Sequence, residues 1–141
     1  MKHLLLSIFL FTSTLIGTNI KHLANTSSLE SESLPVIVKS NYDLIKEAIL
    51  KKKSITCDYK GYSRKMSPHV LGTKNGREHA LFYQYAGESE SDLSLDPSHN
   101  WRCIFVDQIE NLTINDDEFY TFKNHSQRQT CVDIIDVEIS Y

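Results

Sequence analysis

The chain has 141 residues, with 15 basic and 18 acidic side chains and a formal net charge of −3. Because domains typically run to about 100–200 residues, the length predicts one domain, and an apolar fraction of 40% excludes a wholly disordered chain. The mildly acidic balance argues against a protein whose whole surface holds nucleic acid, for which a basic balance is expected.

The N-terminal part of the sequence divides into an apolar leader and a polar linker. Residues 1–3 form a short basic start, and residues 4–17 carry no charge. This arrangement is typical of a secretory signal and is too short for a membrane span, which needs about 20 apolar residues. We expect residues 1–20 to be such a leader, although no clean cleavage site follows it; a misassigned translation start and a packed helix are the alternatives. Residues 21–39 are polar and rich in serine, which predicts a flexible linker.

Residues 40–53 carry the signals of an amphipathic helix. Ser40 can cap its N-terminus, and Asp43 stands three residues later in the acidic position of a capping box. Apolar side chains recur at helical spacing on one face: Tyr42, Ile45, Ala48 and Ile49. The three lysines at 51–53 suit the negative pole of the helix dipole, and we expect them to be a solvated helix end.

From Ser54 onward the apolar pattern changes to the period of two that is typical of strands. Asn75-Gly76 predicts a tight hairpin, because both central residues of that turn need a positive φ. Pro68 is expected at an edge or a bulge, since proline cannot donate to a ladder. The predicted strands cover residues 54–59, 65–71, 79–85, 101–114 (one long strand or a pair) and 132–140. One helix followed by about five short strands predicts a mainly β domain, a small β-barrel with one N-terminal helix, over residues 40–141.

Two further features of the β-rich region bear on function. In the strand 79–85, alternation places three residues on one face, Ala80, Phe82 and Gln84, and three on the other, Leu81, Tyr83 and Tyr85. Residues 86–100 are polar, acidic and rich in turn formers, so they are expected to form a long loop.

An ordered series of short motifs runs through residues 40–114. A helix and a strand ending in Tyr59 are followed by Arg64, Pro68 and Leu71, then by the hairpin Gly76-Arg77 with Glu78-His79-Ala80-Leu81, and then by Arg102-Cys103-Ile104-Phe105-Val106-Asp107-Gln108-Ile109 with Leu112. In order and spacing, these residues resemble the WYL domain. That family has a small SH3-like (Sm-like) β-barrel, usually found behind a helix-turn-helix in bacterial transcription regulators.

The chain also departs from the family pattern. His79 and Ala80 stand where the family has the Trp and Tyr of its name, and Gln108 stands where it usually has a second Arg. Residues 21–39 are too short and polar to hold a helix-turn-helix, so we expect a stand-alone WYL-like domain that does not bind duplex DNA stably by itself. The resemblance implies a ligand-sensing or regulatory module, in a family thought to bind nucleotides or short nucleic acids through basic residues on the barrel.

An anion site needs several positive charges that converge on one spot. Arginine is favoured, because its planar group can bind a phosphate at two points. Three arginines from separate segments could meet on one rim of a small barrel, and aromatic neighbours could stack on a base for about 1–3 kcal/mol each. The candidate ligand contacts are therefore Arg64, Arg77 and Arg102, with Tyr59, His79 and Trp101 beside them. The alternatives are loosely paired surface charges for the arginines and core packing for the aromatic residues.

The sequence offers no motif for catalysis or for metal binding. The histidines lack the paired spacing and the CxxC partners of a zinc site, so we expect no metal, no cofactor and no enzyme activity. The odd number of cysteines, Cys57, Cys103 and Cys131, allows at most one internal disulfide. We expect one pair to be able to bridge in an exported protein and all three to be reduced in the cytosol.

Two functions remain open from the sequence. The first is a non-catalytic, ligand-sensing module that binds a small anionic ligand, a nucleotide or a short nucleic acid and acts through a protein partner. The second is an exported structural or protein-interaction domain in which the ligand site is degenerate, as His79, Ala80 and Gln108 suggest. The leader favours a periplasmic or secreted protein, whereas a misassigned leader would leave it in the cytoplasm.

Residues 1–35 hold two lysines and two glutamates, so the domain itself carries the charge of −3 and any anion site must be a local cluster of arginines.

Overall fold

The computed structural model describes residues 37–123 and 128–140. The chain divides into two compact units, Met1–Pro35 and Val36–Tyr141, and every described residue belongs to the second. The predicted leader, residues 1–20, and nearly all of the predicted linker lie outside the described residues. The elements of the second unit are α1 (Asn41–Lys51), β1 (Ile55–Tyr59), β2 (Tyr62–Lys74), β3 (Arg77–Gly87), β4 (Trp101–Phe105), β5 (Ile109–Ile114) and β6 (Ile134–Glu138).

The helix α1 begins as its sequence predicts. The Ser40 side chain accepts a hydrogen bond from the backbone N–H of Asp43, and the Asp43 carboxylate accepts one from the backbone N–H of Ser40, which completes the capping box. The helix ends where Lys52 adopts a left-handed conformation with φ 49°, slightly before the predicted end at residue 53. No helix among the described residues combines the length and the apolar character that crossing a membrane requires.

The strands form one antiparallel sheet in the order β4-β3-β2-β1-β5, and β6 pairs with β2. β3 pairs along one edge of β2. Along the other edge, β1 pairs with residues 62–66 and β6 pairs with residues 70–73. Within residues 37–123 and 128–140, the ladder ends at β4 on one side and at β5 on the other, so the sheet is not closed. The predicted mainly β class with one N-terminal helix is confirmed, whereas the predicted small β-barrel is not.

Local sequence signals fix the strand ends. Asn75 and Gly76 have φ of 52° and 73° and form the two-residue turn between β2 and β3, as predicted. The register between β2 and β3 shifts just after Pro68, which agrees with the expected bulge. The segment 101–114 is a pair of strands, because a single turn of 3-10 helix, Val106–Gln108, separates β4 from β5.

The main core lies between α1 and one face of the sheet. It includes Ile45 and Ile49 from the helix and Met66, Phe82 and Ile104 from three neighbouring strands. The predicted alternation in β3 is confirmed, since the side chains of Ala80, Phe82 and Gln84 are fully buried. Gln84 therefore places a buried amide on the face of β3 that also carries Ala80 and Phe82.

A disulfide stabilises the other face of the sheet. Cys103 in β4 is bonded to Cys131, with a Cα–Cα distance of 5.5 Å, and Cys57 is a buried free thiol. The sequence limit of one internal bridge thus holds. Cys131 packs in a second, smaller apolar cluster with Val70 and Val132.

Candidate anion-binding site

Two of the three predicted arginines meet at the amide of Gln84. The strand order places β3 between β2, which carries Arg64, and β4, which carries Arg102. The Oε1 atom of Gln84 accepts a hydrogen bond from Arg64 Nη1 at 3.3 Å and another from Arg102 Nε at 3.1 Å. Two guanidinium groups from different strands therefore converge on one neutral acceptor.

The burial of Arg64 makes this arrangement unusual. Arg64 is only 5% exposed and Gln84 is fully buried, whereas charged side chains are almost never fully buried unless they are paired. The Nε atom of Arg64 is buried and has no hydrogen-bond partner among the residues described. Its guanidinium carbon lies 5.3 Å from the ring centre of Tyr59 and 5.9 Å from that of Tyr62, so aromatic faces supply part of its surroundings.

Arg64 and Arg102 are not neutralised by a carboxylate in the described part of the chain. The ion pairs there are formed by other basic side chains, namely Lys39, Lys46, Lys51, Lys53, Arg77 and His99. Burial, and then the positive charge of Arg64, lower the pKa of Arg102. The pair therefore leaves a positive charge that a bound anion could compensate.

Hydrogen bonds to the backbone fix the position of Arg102. Its Nη1 atom donates to the carbonyl oxygens of His99 at 3.0 Å and of Trp101 at 3.1 Å. These bonds tie the guanidinium to the end of the acidic loop 86–100. The side chain is only partly buried, so Arg102 gives the pair its access to solvent.

Tyr59 lies next to Arg64 and contacts Gln108. The hydroxyl of Tyr59 donates to Gln108 Oε1 at 3.3 Å, while the Tyr59 ring faces Arg64. The position at which the WYL pattern usually has a second Arg is thus occupied by an amide that accepts a bond from tyrosine.

Arg77 and His79 lie elsewhere in the sheet. Arg77 binds both carboxylate oxygens of Asp107, at 2.9 to 3.1 Å, and its guanidinium carbon lies 3.8 Å from the ring centre of Phe105. The His79 ring lies 4.3 Å from the same phenyl ring. His79 and Gln84 are five positions apart in β3, about 16 Å along a strand that rises about 3.3 Å per residue. The charge of Arg77 is therefore compensated and remote from the pair.

The ring of Trp101 lies on the opposite face of the sheet from Arg102, as expected for neighbouring residues in a strand. It packs edge-on against His69 at 4.7 Å and Tyr83 at 5.2 Å between ring centres. His69 and Trp101 also line a groove of about 1140 Å³ whose other walls include Val132 and Ile135. Trp101 contacts the arginine pair through its backbone carbonyl, which accepts a hydrogen bond from Arg102.

Gln84 and Tyr62 were not among the candidates that the sequence suggested. A signal for Gln84 existed, because alternation placed it on the face shared by Ala80 and Phe82, and a polar side chain in an apolar row needs partners. Tyr62 lies next to the turn at Gly61, and no pattern in the sequence predicts its contact with Arg64.

Neither a protein-family model nor a curated protein nor a solved structure matches this chain. The resemblance to the WYL domain therefore stays a prediction. Among residues 37–123 and 128–140, no group of three or more histidine, cysteine or acidic side chains is placed to hold a metal ion. The geometry of the arginine pair is therefore the observation that bears on function.

Proposed function

We propose that the protein is a non-catalytic module that binds a small anionic ligand, a nucleotide or a short nucleic acid, through a phosphate group held by Arg64 and Arg102. The observation that carries the proposal is the convergence of two guanidinium groups on the neutral oxygen of Gln84. A phosphate bound there would form charge-assisted hydrogen bonds, which are about twice as strong as neutral ones.

The aromatic neighbours favour recognition of a phosphate over recognition of a base. The rings of Tyr59 and Tyr62 already face the guanidinium of Arg64, so their role in the proposal is to hold that group in place. The Trp101 ring lies on the other face and takes no part.

The family relationship is part of the same proposal. Arg64 and Arg102 both belong to the series of residues that resembles the WYL domain, and their meeting at Gln84 supports that resemblance. We propose that the open sheet, with its N-terminal helix, corresponds to the SH3-like barrel of that family. The ligand would then act by changing an interaction with a protein partner.

A specific observation favours the second candidate, an exported structural or protein-interaction domain. The Cys103–Cys131 disulfide suits an oxidising compartment, because cytosolic thiols are kept reduced. Mass spectrometry of the native protein would test export by showing whether residues 1–20 are removed and whether the bridge is present. A retained leader together with three free thiols would argue against export.

Thermal unfolding with and without AMP or pyrophosphate at low ionic strength tests the anion site. We expect both probes to raise the Tm of the wild-type protein, since a ligand at 100 times its Kd stabilises the native state by about 2.7 kcal/mol. The rise should be smaller at high salt, which screens exposed charges.

Two variants make this test specific. Arg102→Ala should lose the ligand-dependent rise, whereas Arg77→Ala should keep it, because Arg77 is paired with Asp107 away from the site. The absence of any rise in the wild type, or an equal rise in Arg102→Ala, would overturn the proposal.

A further inference from the structure

We infer that Gln84 is the positioning residue that fixes the charge of this site at two and thereby selects a doubly charged phosphate, such as a terminal phosphate monoester, over a singly charged phosphodiester. This inference rests on the proposed function. Its basis is that one amide oxygen serves both guanidinium groups, at 3.3 and 3.1 Å, and contributes no negative charge.

The Nε2 group of Gln84 fixes the orientation of the amide. Gln84 Nε2 donates to the backbone carbonyls of Ala86 at 3.3 Å and Glu88 at 3.1 Å. The oxygen must then point toward the arginines, because reversing the amide would direct N–H groups at guanidinium donors and oxygen at carbonyl acceptors. A glutamine fits this network, because its oxygen accepts from the two guanidinium groups and its Nε2 donates to the two carbonyls.

A carboxylate at the same position would change the chemistry of the site. It would form charge-assisted bonds with both guanidinium groups and neutralise one of the two positive charges. It could not donate to the carbonyls of Ala86 and Glu88 in its ionised form. Unlike glutamate, glutamine therefore binds both guanidinium groups without neutralising either positive charge, so both charges can pair with a ligand.

The charge of the site has a consequence for the ligand. A terminal phosphate monoester carries close to two negative charges above its second pKa near 6, whereas a phosphodiester carries one. Each arginine can pair with its own negative charge only in the first case. A charge-assisted hydrogen bond contributes about 1.5–3 kcal/mol, so we expect the dianion to bind at least about tenfold more tightly. A nucleic acid would accordingly be held by a phosphorylated end and not by its internal phosphates.

The closing experiment compares AMP with 3′,5′-cyclic AMP, which share the adenosine but differ by one charge on the phosphate. Isothermal titration calorimetry at pH 8 and low ionic strength should give the wild-type protein an affinity for AMP at least about tenfold above that for cyclic AMP. Gln84→Glu should reduce this ratio toward one, and Arg77→Ala should leave it unchanged. Circular dichroism establishes that each variant is folded.

The outcomes separate the inference from the proposed function. If the wild type binds neither probe, the proposed anion site fails. If it binds both equally, the site stands and the selection of a dianion fails. If the preference persists in Gln84→Glu, the assigned role of Gln84 is wrong. Should Gln84→Glu not fold, Arg102→Gln removes one charge from the partly exposed partner, and an unchanged ratio in that variant would likewise overturn the inference.

Discussion

Breaking the Cys103–Cys131 bridge should destabilise the domain by an amount that follows from the chain it encloses. The two cysteines are 28 residues apart. In the chain-entropy model, a closed loop of that length stabilises the native state by about 3.6 kcal/mol at 25 °C. Small domains have a total stability of only about 5–15 kcal/mol, so the loss should be easy to measure.

Urea denaturation of the wild-type protein with and without dithiothreitol measures this difference. Reduction leaves the sulfur atoms in place, so it avoids the cavity that a smaller side chain would create at Cys131, which is 5% exposed. With a slope of about 1–3 kcal/mol per molar urea, the midpoint should fall by more than about 1 M. The double variant Cys103→Ala/Cys131→Ala is the control, since dithiothreitol should not change its midpoint.

Reduction of the disulfide should also destabilise some strands more than others. Cys131 lies just before β6, whose ladder pairs with residues 70–73 of β2, while α1 and β1 pack in the main core. Reduction should accelerate amide exchange in Ile134–Glu138 more than in Ile55–Tyr59. A loss of stability below about 1 kcal/mol, or equal acceleration in both strands, would refute the account of the bridge as a tether for β6.

Three further predictions concern other positions. Burial raises the pKa of the Cys57 thiol to about 12, so iodoacetamide at pH 8 should alkylate it only after unfolding, as mass spectrometry would show. The free energy of unfolding should also decrease above about pH 9, where only the thiol of the unfolded chain ionises. Hydrogen bonds from two lysines lower the pKa of Glu47 from 4.5 to about 2, so the stabilisation is present above pH 4.5 and is lost as the pH falls toward 2, and Tm at pH 6 should exceed Tm at pH 2.5. Gly87→Ala should cost more than about 1 kcal/mol in urea denaturation, because φ is +86° and the new Cβ would clash with the carbonyl oxygen of Ser63. Gly61→Ala, with φ +79° and open space around the new Cβ, should cost less.

The sequence predicted the parts of the fold that local interactions determine. The capping box at Ser40 and the Asn75-Gly76 turn depend on residues within a few positions of each other, and both form as expected. The division of one β2 edge between β1 and β6 depends on pairings between distant segments, which hydrophobic alternation does not specify. The open ends of the sheet, at β4 and β5, were missed for the same reason.

The positions of the three candidate arginines could be predicted only in part from the sequence. A two-residue turn pairs Lys74 with Arg77, and continuing this register places Arg64 opposite Gly87, at the far end of the hairpin. Arg64 and Arg77 therefore could not meet on one rim. The meeting of Arg64 with Arg102 required β4 to pair beside β3, which the sequence does not specify.

The position of Arg64 suggests that the site lowers the stability of the fold. A buried guanidinium with an unpartnered Nε carries a desolvation cost that one shared amide oxygen and two tyrosine rings offset only in part. Replacing a buried ion pair by apolar side chains of similar volume is often neutral or stabilising by about 1–4 kcal/mol, and a buried guanidinium without a carboxylate partner has still less attraction to offset its desolvation. Arg64→Met should therefore unfold at an equal or higher urea concentration than the wild type while losing its affinity for AMP. A variant that is clearly less stable would show that Arg64 serves the fold, and the argument from its uncompensated charge to a ligand would then lose its physical basis.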